Sequence, residues 1–305
     1  MAVPYPARCH GRLDAYGANP HLHRCCSNYR RHRLALCQRK GGEIMKRYLG
    51  RKQTSTQAEW LYAIEHIEEL ISADEVEQIA SDTVLAIRMN TQGKKAAYAW
   101  SGGKDSIVLA DLCEAAGVRA GYFAYSSLDY PAFIDWCMKH KPEGVIPMDT
   151  GYDLDWLAKH QELIFAKGDA GQRWHIFNQR KPFTRMISEN SLDVLVLGHR
   201  VIDGNVCGID GYIRKKSGEV RYNPLKDWPH EALLGYIHYH RLELPPIYLW
   251  KNGFVNGTHA WPERDFCDSL NQGYREVYEI DPSIITRAAE KIPSARRFLE
   301  VEVGA

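Results

Sequence analysis

The run Tyr98-Ala99-Trp100-Ser101-Gly102-Gly103-Lys104-Asp105-Ser106 joins a short apolar strand, through a glycine turn, to the helical pattern Ile107-Val108-Leu109-Ala110-Asp111-Leu112-Cys113. A strand feeding such a turn at a helix N-terminus aims unpaired backbone N–H groups at one point, and glycine admits an anion where a Cβ would clash. The residue types suit a phosphate. Ser101 and Ser106 add hydroxyls and Lys104 adds a mobile positive charge. The helix dipole favours an anion by about 0.3 to 1 kcal/mol at an exposed end. Asp105 is the odd member of the cradle. A carboxylate beside a phosphate is tolerable as a Mg²⁺ ligand or as a helix cap, and the sequence leaves both readings open. The spacing is not that of a Walker A loop, which places a longer spacer between its first glycine and Gly-Lys.

Ser-Gly-Gly-Lys-Asp-Ser after a strand resembles the signature of the PP-loop ATP pyrophosphatase superfamily. The chain is most similar to its phosphoadenosine phosphosulfate (PAPS) reductase-like branch, over residues 94–260. The resemblance implies an adenine nucleotide, ATP or PAPS, at the C-terminal edge of a parallel sheet in an adenine nucleotide alpha-hydrolase-like fold. Gly198-His199-Arg200 resembles the family's Gly-x-Arg segment, whose arginine faces the anionic groups of the nucleotide. Arg200 therefore joins Lys104 as a catalytic candidate, since a planar guanidinium binds phosphate or sulfate oxygens in pairs. His199 is either an acid or base near neutral pH or a hydrogen-bonded structural histidine. Asp149-Thr150-Gly151 is similar to a short motif of the reductase branch, where it commonly follows the preceding strand.

These residues need elements that bring them together. Strands over residues 118–125, 144–148 and 193–197 alternate with helical material, including a helix over 131–140, which predicts right-handed crossovers and an α/β, doubly wound parallel sheet. Loops that follow such strands gather at one edge of the sheet. Ser126, Ser127 and Asp129, then Asp149, Thr150 and Gly151, then Gly198, His199 and Arg200 are therefore expected to face the phosphate loop. Of these, Ser126, Asp129, Asp149, Gly198 and Arg200 join residues 101–106 as the nucleotide-binding candidates.

Upstream, Trp60, Leu61, Ile64, Ile67, Leu70 and Ile71 recur at helical spacing. Ser72-Ala73-Asp74-Glu75 reads as a capping box opening a second helix with Val76, Ile79, Val84 and Ile87 on its inner face. Downstream, Tyr212-Ile213-Arg214 and Val220-Arg221-Tyr222 flank Ser217-Gly218 as a hairpin. Asn223-Pro224-Leu225-Lys226-Asp227-Trp228 is similar to the family's Pro-Leu, Asp-Trp element, where a helix closes over the substrate cleft. The following helix covers 229–240, with Asp227 as its expected cap and Pro229 in its first turn. The expected division is a basic head at 1–44, a helical segment at 45–93, the nucleotide-binding domain at 94–260 and a helical extension at 261–305.

Composition bounds the function classes. The 305 residues are 45% hydrophobic and 25% charged with a net charge of +1, an ordinary globular chain. No apolar stretch approaches the roughly 18 residues that span a bilayer, and the first residues lack a secretory apolar core, so no membrane partner is expected and a cytoplasmic location is the default. Charge is unevenly spread: residues 1–44 carry +6 and the rest −5, which argues against broad nucleic-acid binding by the enzyme domain. The head holds Cys9, His10, His21, His23, Cys25, Cys26, His32 and Cys37 without paired Cys-x2-Cys knuckles. It is read as disordered or not native, with a zinc module as the alternative. Lys40-Gly41-Gly42-Glu43-Ile44 before Met45 could be a translated ribosome-binding site, which would make Met45 the start.

A thiol-dependent PAPS reductase resembles a protein ending in Glu-Cys-Gly-Ile-His, and this chain has no cysteine after Cys267. Cys207-Gly208-Ile209-Asp210 mimics part of that segment but precedes the hairpin, and buried structural cysteine is its favoured reading. Cys113, Cys137, Cys207 and Cys267 lack the close spacing of an iron–sulfur site, so no cluster is expected. Three activities remain. The favoured one is ATP cleavage between the α and β phosphates, adenylating an unknown acceptor, small molecule or nucleic acid, with Mg²⁺ as the expected cofactor. The second is a true reductase using thioredoxin, with Cys207 or Cys267 as nucleophile. The third is a nucleotide- or nucleic-acid-associated module without turnover.

Overall fold

Period-two burial along short apolar strands builds the centre of the protein. Ala97 packs on one face of the sheet and Tyr98 on the other, and the same alternation separates Tyr122 from Phe123 and Leu195 from Val194 and Val196. The computed structural model describes residues 48–50, 54–264 and 267–304, all within the unit Arg47–Ala305. The Cys/His head and Met45 lie outside the described residues, as do Asp265 and Phe266.

Among the described residues the sheet has six strands: β1 Ala96–Ala99, β2 Gly121–Tyr125, β3 Val145–Asp149, β4 Val194–Val196, β5 Tyr212–Arg214 and β6 Val220–Tyr222. Their order is β3-β2-β1-β4-β6-β5. All neighbours are parallel except β5 and β6, which form the expected antiparallel hairpin with Tyr212 opposite Tyr222. The first strand begins earlier than its apolar run suggests, and the Trp100 amide still reaches Tyr122 O at 2.9 Å.

The principal helices are α1 Gln57–Glu65, α2 Ile67–Leu70, α3 Ala73–Thr91, α4 Lys104–Ala116, α5 Pro131–His140, α6 Lys181–Asn190, α7 His230–Tyr239, α8 Leu270–Ile280, α9 Pro282–Ala289 and α10 Pro293–Phe298. Buried residues of α3, α4 and α7 share one core with Tyr98, Phe123, Val194 and Val196. Phe183 and Met186 of α6 cover the opposite face against Ala97, Tyr122, Met148 and Leu195. Helices thus lie on both faces of a mainly parallel sheet, the doubly wound α/β class.

Two local expectations are corrected. The periodic run at 60–71 is not one helix: it breaks at His66, where the backbone leaves helical angles, and resumes at Ile67. Asp227 does not cap α7. Pro229 is the N-cap residue and offers no side-chain bond, while the Asp227 carboxylate is taken by Lys226 Nζ at 2.8 Å. The capping box at Ser72 is present, with Ser72 Oγ accepting the Glu75 amide and the Glu75 carboxylate accepting the Ser72 amide. No helix among the described residues is long and apolar enough to cross a membrane.

Candidate nucleotide-phosphate site

The glycine turn between β1 and α4 closes on itself through hydroxyls. Ser106 Oγ accepts the Ser101 amide at 3.0 Å and donates to Gly103 O at 2.9 Å, while Ser101 Oγ accepts the Gly103 amide at 3.4 Å. Gly102 takes φ +66°, a conformation L side chains rarely adopt, and a Cβ there would stand 2.4 Å from Cys137 Sγ. Gly103 is the N-cap residue of α4. Ser101 is exposed at the surface, while Gly102, Gly103, Lys104 and Ser106 are buried.

Beneath the turn is an ion network. Lys104 Nζ lies 2.7 Å from Asp105 Oδ2, and Arg200 Nε lies 2.6 Å from Asp105 Oδ1. Arg200 also meets Asp203 Oδ2 at 2.9 Å, donates to Trp228 O at 3.2 Å and reaches His230 Nδ1 at 3.0 Å. A guanidinium has only donors, so Nδ1 must be the acceptor. Consistently, burial and the neighbouring Arg200 and Lys104 charges push His230 down to about 2, and it stays neutral. The Lys104 ammonium stands 5.5 Å over the Trp60 ring, whose own neighbours are His230 and Phe254. Two cations and two carboxylates leave the cluster formally neutral, which limits the cost of burying it.

Asp105 is therefore neither the cap of α4 nor a free magnesium ligand. Each of its oxygens already faces a cation, and among the described residues no group of three His, Cys, Asp or Glu is placed to hold a metal. The side chains present do not fit a resident magnesium site. Lys104 and Arg200 are buried beneath the loop, and Arg200 is fully enclosed.

The other candidates divide by role. A Cβ on Gly198 would stand 3.1 Å from Asp105 O, so this glycine lets the end of β4 approach the first turn of α4. His199 is held well below the usual histidine range, at about 4, chiefly by burial and then by His175 and Arg221, which makes it neutral at pH 7. Ser126 and Asp129 close their own turn, with the Ser126 amide donating to Asp129 Oδ2 at 2.7 Å. Burial lifts Asp129 to about 6 despite the Ser126 bonds. Asp149 ends the edge strand β3, is exposed, and accepts the Gly151 amide at 2.8 Å. The structure brings Gly198 and Arg200 onto the loop directly. Ser126, Asp129 and Asp149 stand on the same edge of the sheet with their bonds made locally.

All four cysteines among the described residues are buried. Burial pushes the Cys207 thiol up to about 11 and raises Cys267, Cys113 and Cys137 as well. None is an activated thiolate.

The phosphoadenosine phosphosulfate reductase domain model matches residues 95–256, which spans the loop, the sheet and helix α7. The chain belongs to the PAPS reductase domain family. No curated protein sequence matches it. Among solved structures, the PAPS reductase of Candida auris, a phosphate complex, is 13% identical with a TM-score of 0.42, covering 58% of this chain and 90% of that one. The NH3-dependent NAD synthetase of Campylobacter jejuni, a nitrate complex, is 13% identical with a TM-score of 0.40, covering 73% of this chain and 96% of that one.

Several residues of this PAPS reductase-family site escape sequence reasoning. Tyr248, in the 3-10 turn Pro246–Leu249, accepts the Lys104 amide on its hydroxyl at 2.7 Å. Gln57 of α1 staples that segment, donating to Tyr248 O at 2.8 Å and accepting the Phe254 amide at 2.9 Å. Asp203 and His230 complete the shell of Arg200. A pair of prolines at 245 and 246 marks a turn, but no local pattern reports that the next tyrosine reaches the loop from more than a hundred residues away.

Proposed function

We propose that this chain binds an adenine nucleotide by its phosphates at residues 101–106 and transfers the adenylyl group of ATP to an acceptor. The supporting observation is the pairing of a hydroxyl-lined turn at a helix N-terminus with cysteines that, among the described residues, are all buried and held protonated. In this reaction an acceptor nucleophile attacks the α-phosphorus, the bond from that phosphorus to the bridging oxygen breaks, and pyrophosphate leaves with the electron pair. The acceptor's proton passes to solvent. Negative charge grows on the leaving pyrophosphate, where the backbone amides at the α4 N-terminus supply donors already in place. Lys104 supplies positive charge beneath the turn, and Arg200 holds Asp105 so that the first turn of α4 keeps its orientation.

Exchange of labelled pyrophosphate into ATP tests this reading. The expected result is exchange that depends on acceptor and is lost in Lys104→Ala. A second reading, reduction of PAPS, is favoured by the description of the matching family model. It predicts sulfite release from PAPS with reduced thioredoxin, abolished by Cys207→Ala or Cys267→Ala.

A further inference from the structure

One face of Gly103 is ringed by oxygen. Around the position a Cβ would occupy stand Thr258 Oγ1 at 3.2 Å, Ser101 Oγ at 3.3 Å and Tyr248 Oη at 3.3 Å. These hydroxyls come from three separate segments, and Thr258 lies past the end of the family match at residue 256. Ser101 Oγ gives its proton to Ser106 Oγ at 3.2 Å, whereas the other two hydroxyls keep protons to give. Tyr248 Oη accepts the Lys104 amide, so its own proton points elsewhere, and no acceptor for it is present among the described residues. Thr258 Oγ1 likewise has no hydrogen-bond partner among the described residues, and Thr258 is half-buried where exposed Ser101 also meets Gly103. Burial raises Tyr248 far above the ordinary phenol range, so its proton is retained at any physiological pH.

We propose that Tyr248 and Thr258 are ligand-contacting residues whose hydroxyls donate to the non-bridging oxygens of the nucleotide's terminal diphosphate. The inference rests on the phosphate reading of the loop and adds the residues that recognise the leaving group. Neutral hydroxyls suit this task because the ion network below is already balanced, so added fixed cations are not needed to hold the anion. Hydrogen bonds to a charged oxygen are the stronger kind. Losing one is expected to weaken binding by roughly tenfold or more.

The test is binding of ATP, inorganic pyrophosphate and AMP to the full chain by calorimetry, with Thr258→Val, Thr258→Ser and Tyr248→Phe. Thr258→Val is expected to weaken ATP and pyrophosphate by roughly tenfold or more and AMP by less than about twofold, with an unchanged unliganded Tm. Thr258→Ser is expected to restore both. Tyr248→Phe is expected to weaken ATP and pyrophosphate similarly even if its Tm falls with the lost Lys104 contact. Wild-type binding of ATP matched by Thr258→Val and Tyr248→Phe overturns the inference and leaves the loop reading standing. Equal weakening of AMP overturns the assignment to the diphosphate. A wild-type chain that binds neither ATP nor pyrophosphate overturns the loop reading, and the inference with it.

Discussion

The Asp105 carboxylate bridges two buried cations, standing 2.7 Å from Lys104 on one oxygen and 2.6 Å from Arg200 on the other. The residue that fitted simple anion binding least well is thus the one that keeps two positive charges under the loop. Asp105→Asn removes the carboxylate partner of Lys104 and leaves Arg200 with the Asp203 carboxylate alone. Removing one partner of a buried pair costs about 3 kcal/mol at the lower end, the end that applies because the Asp105 side chain keeps 26% of its surface exposed. Chemical denaturation of Asp105→Asn is expected to show a loss of that size.

Gly102 carries two constraints that substitution separates. Gly93 has φ +72° with nothing within 4 Å of a Cβ, whereas Gly102 has φ +66° and Cys137 Sγ at 2.4 Å. Gly93→Ala is expected to cost about 1 kcal/mol, the backbone strain alone. Gly102→Ala is expected to cost more than Gly93→Ala and to abolish nucleotide binding, and Cys137→Ala in that background is expected to recover part of the difference in thermal unfolding.

The buried thiols predict slow chemistry. In the native protein, iodoacetamide followed by peptide mass mapping is expected to leave Cys113, Cys137, Cys207 and Cys267 unlabelled, with full labelling in denaturant. Rapid native labelling of Cys207 or Cys267 would favour the reductase reading.

Stability is expected to depend on pH through His199, His230 and Asp129. His199 and His230 are lowered to about 4 and about 2 from the ordinary histidine value of 6.5, so their contribution is present above 6.5 and lost as pH falls toward those values. Asp129 is raised from 3.8 to about 6, so its contribution is present below 3.8 and lost as pH rises through 6. Denaturation across pH 4 to 7 is expected to flatten in His199→Gln, because the unfolded chain then has one fewer site to protonate. Asp129→Asn is expected to steepen it by removing the opposing group.

The loop and the sheet were legible because their signals are local. Gly102, Gly103 and the hydroxyls around them announce a strand-to-helix turn, and alternating strands and helices order the sheet. The Ser72–Glu75 capping box is likewise contained in four neighbours. What stayed hidden depends on distant contacts. Arg200 looked like an open anion ligand because nothing in Gly198-His199-Arg200 encodes Asp203, Trp228 and His230 closing around it. Asp227 looked like a cap because Asp before a helix is common, yet neighbouring Lys226 claims its carboxylate. Tyr248 and Thr258 carry no motif, and only the return of the chain after α7 sets them on Gly103.

Thermal unfolding of the full chain with ATP, adenylyl sulfate and PAPS tests the central claim most directly, because a ligand bound only by the native state stabilises it by about 2.7 kcal/mol at a hundred times Kd. The expected result is a rise in Tm that grows with the logarithm of ATP concentration above Kd and is absent in Gly102→Ala. No shift with any of the three nucleotides, in a wild-type protein that unfolds cooperatively, would contradict the account.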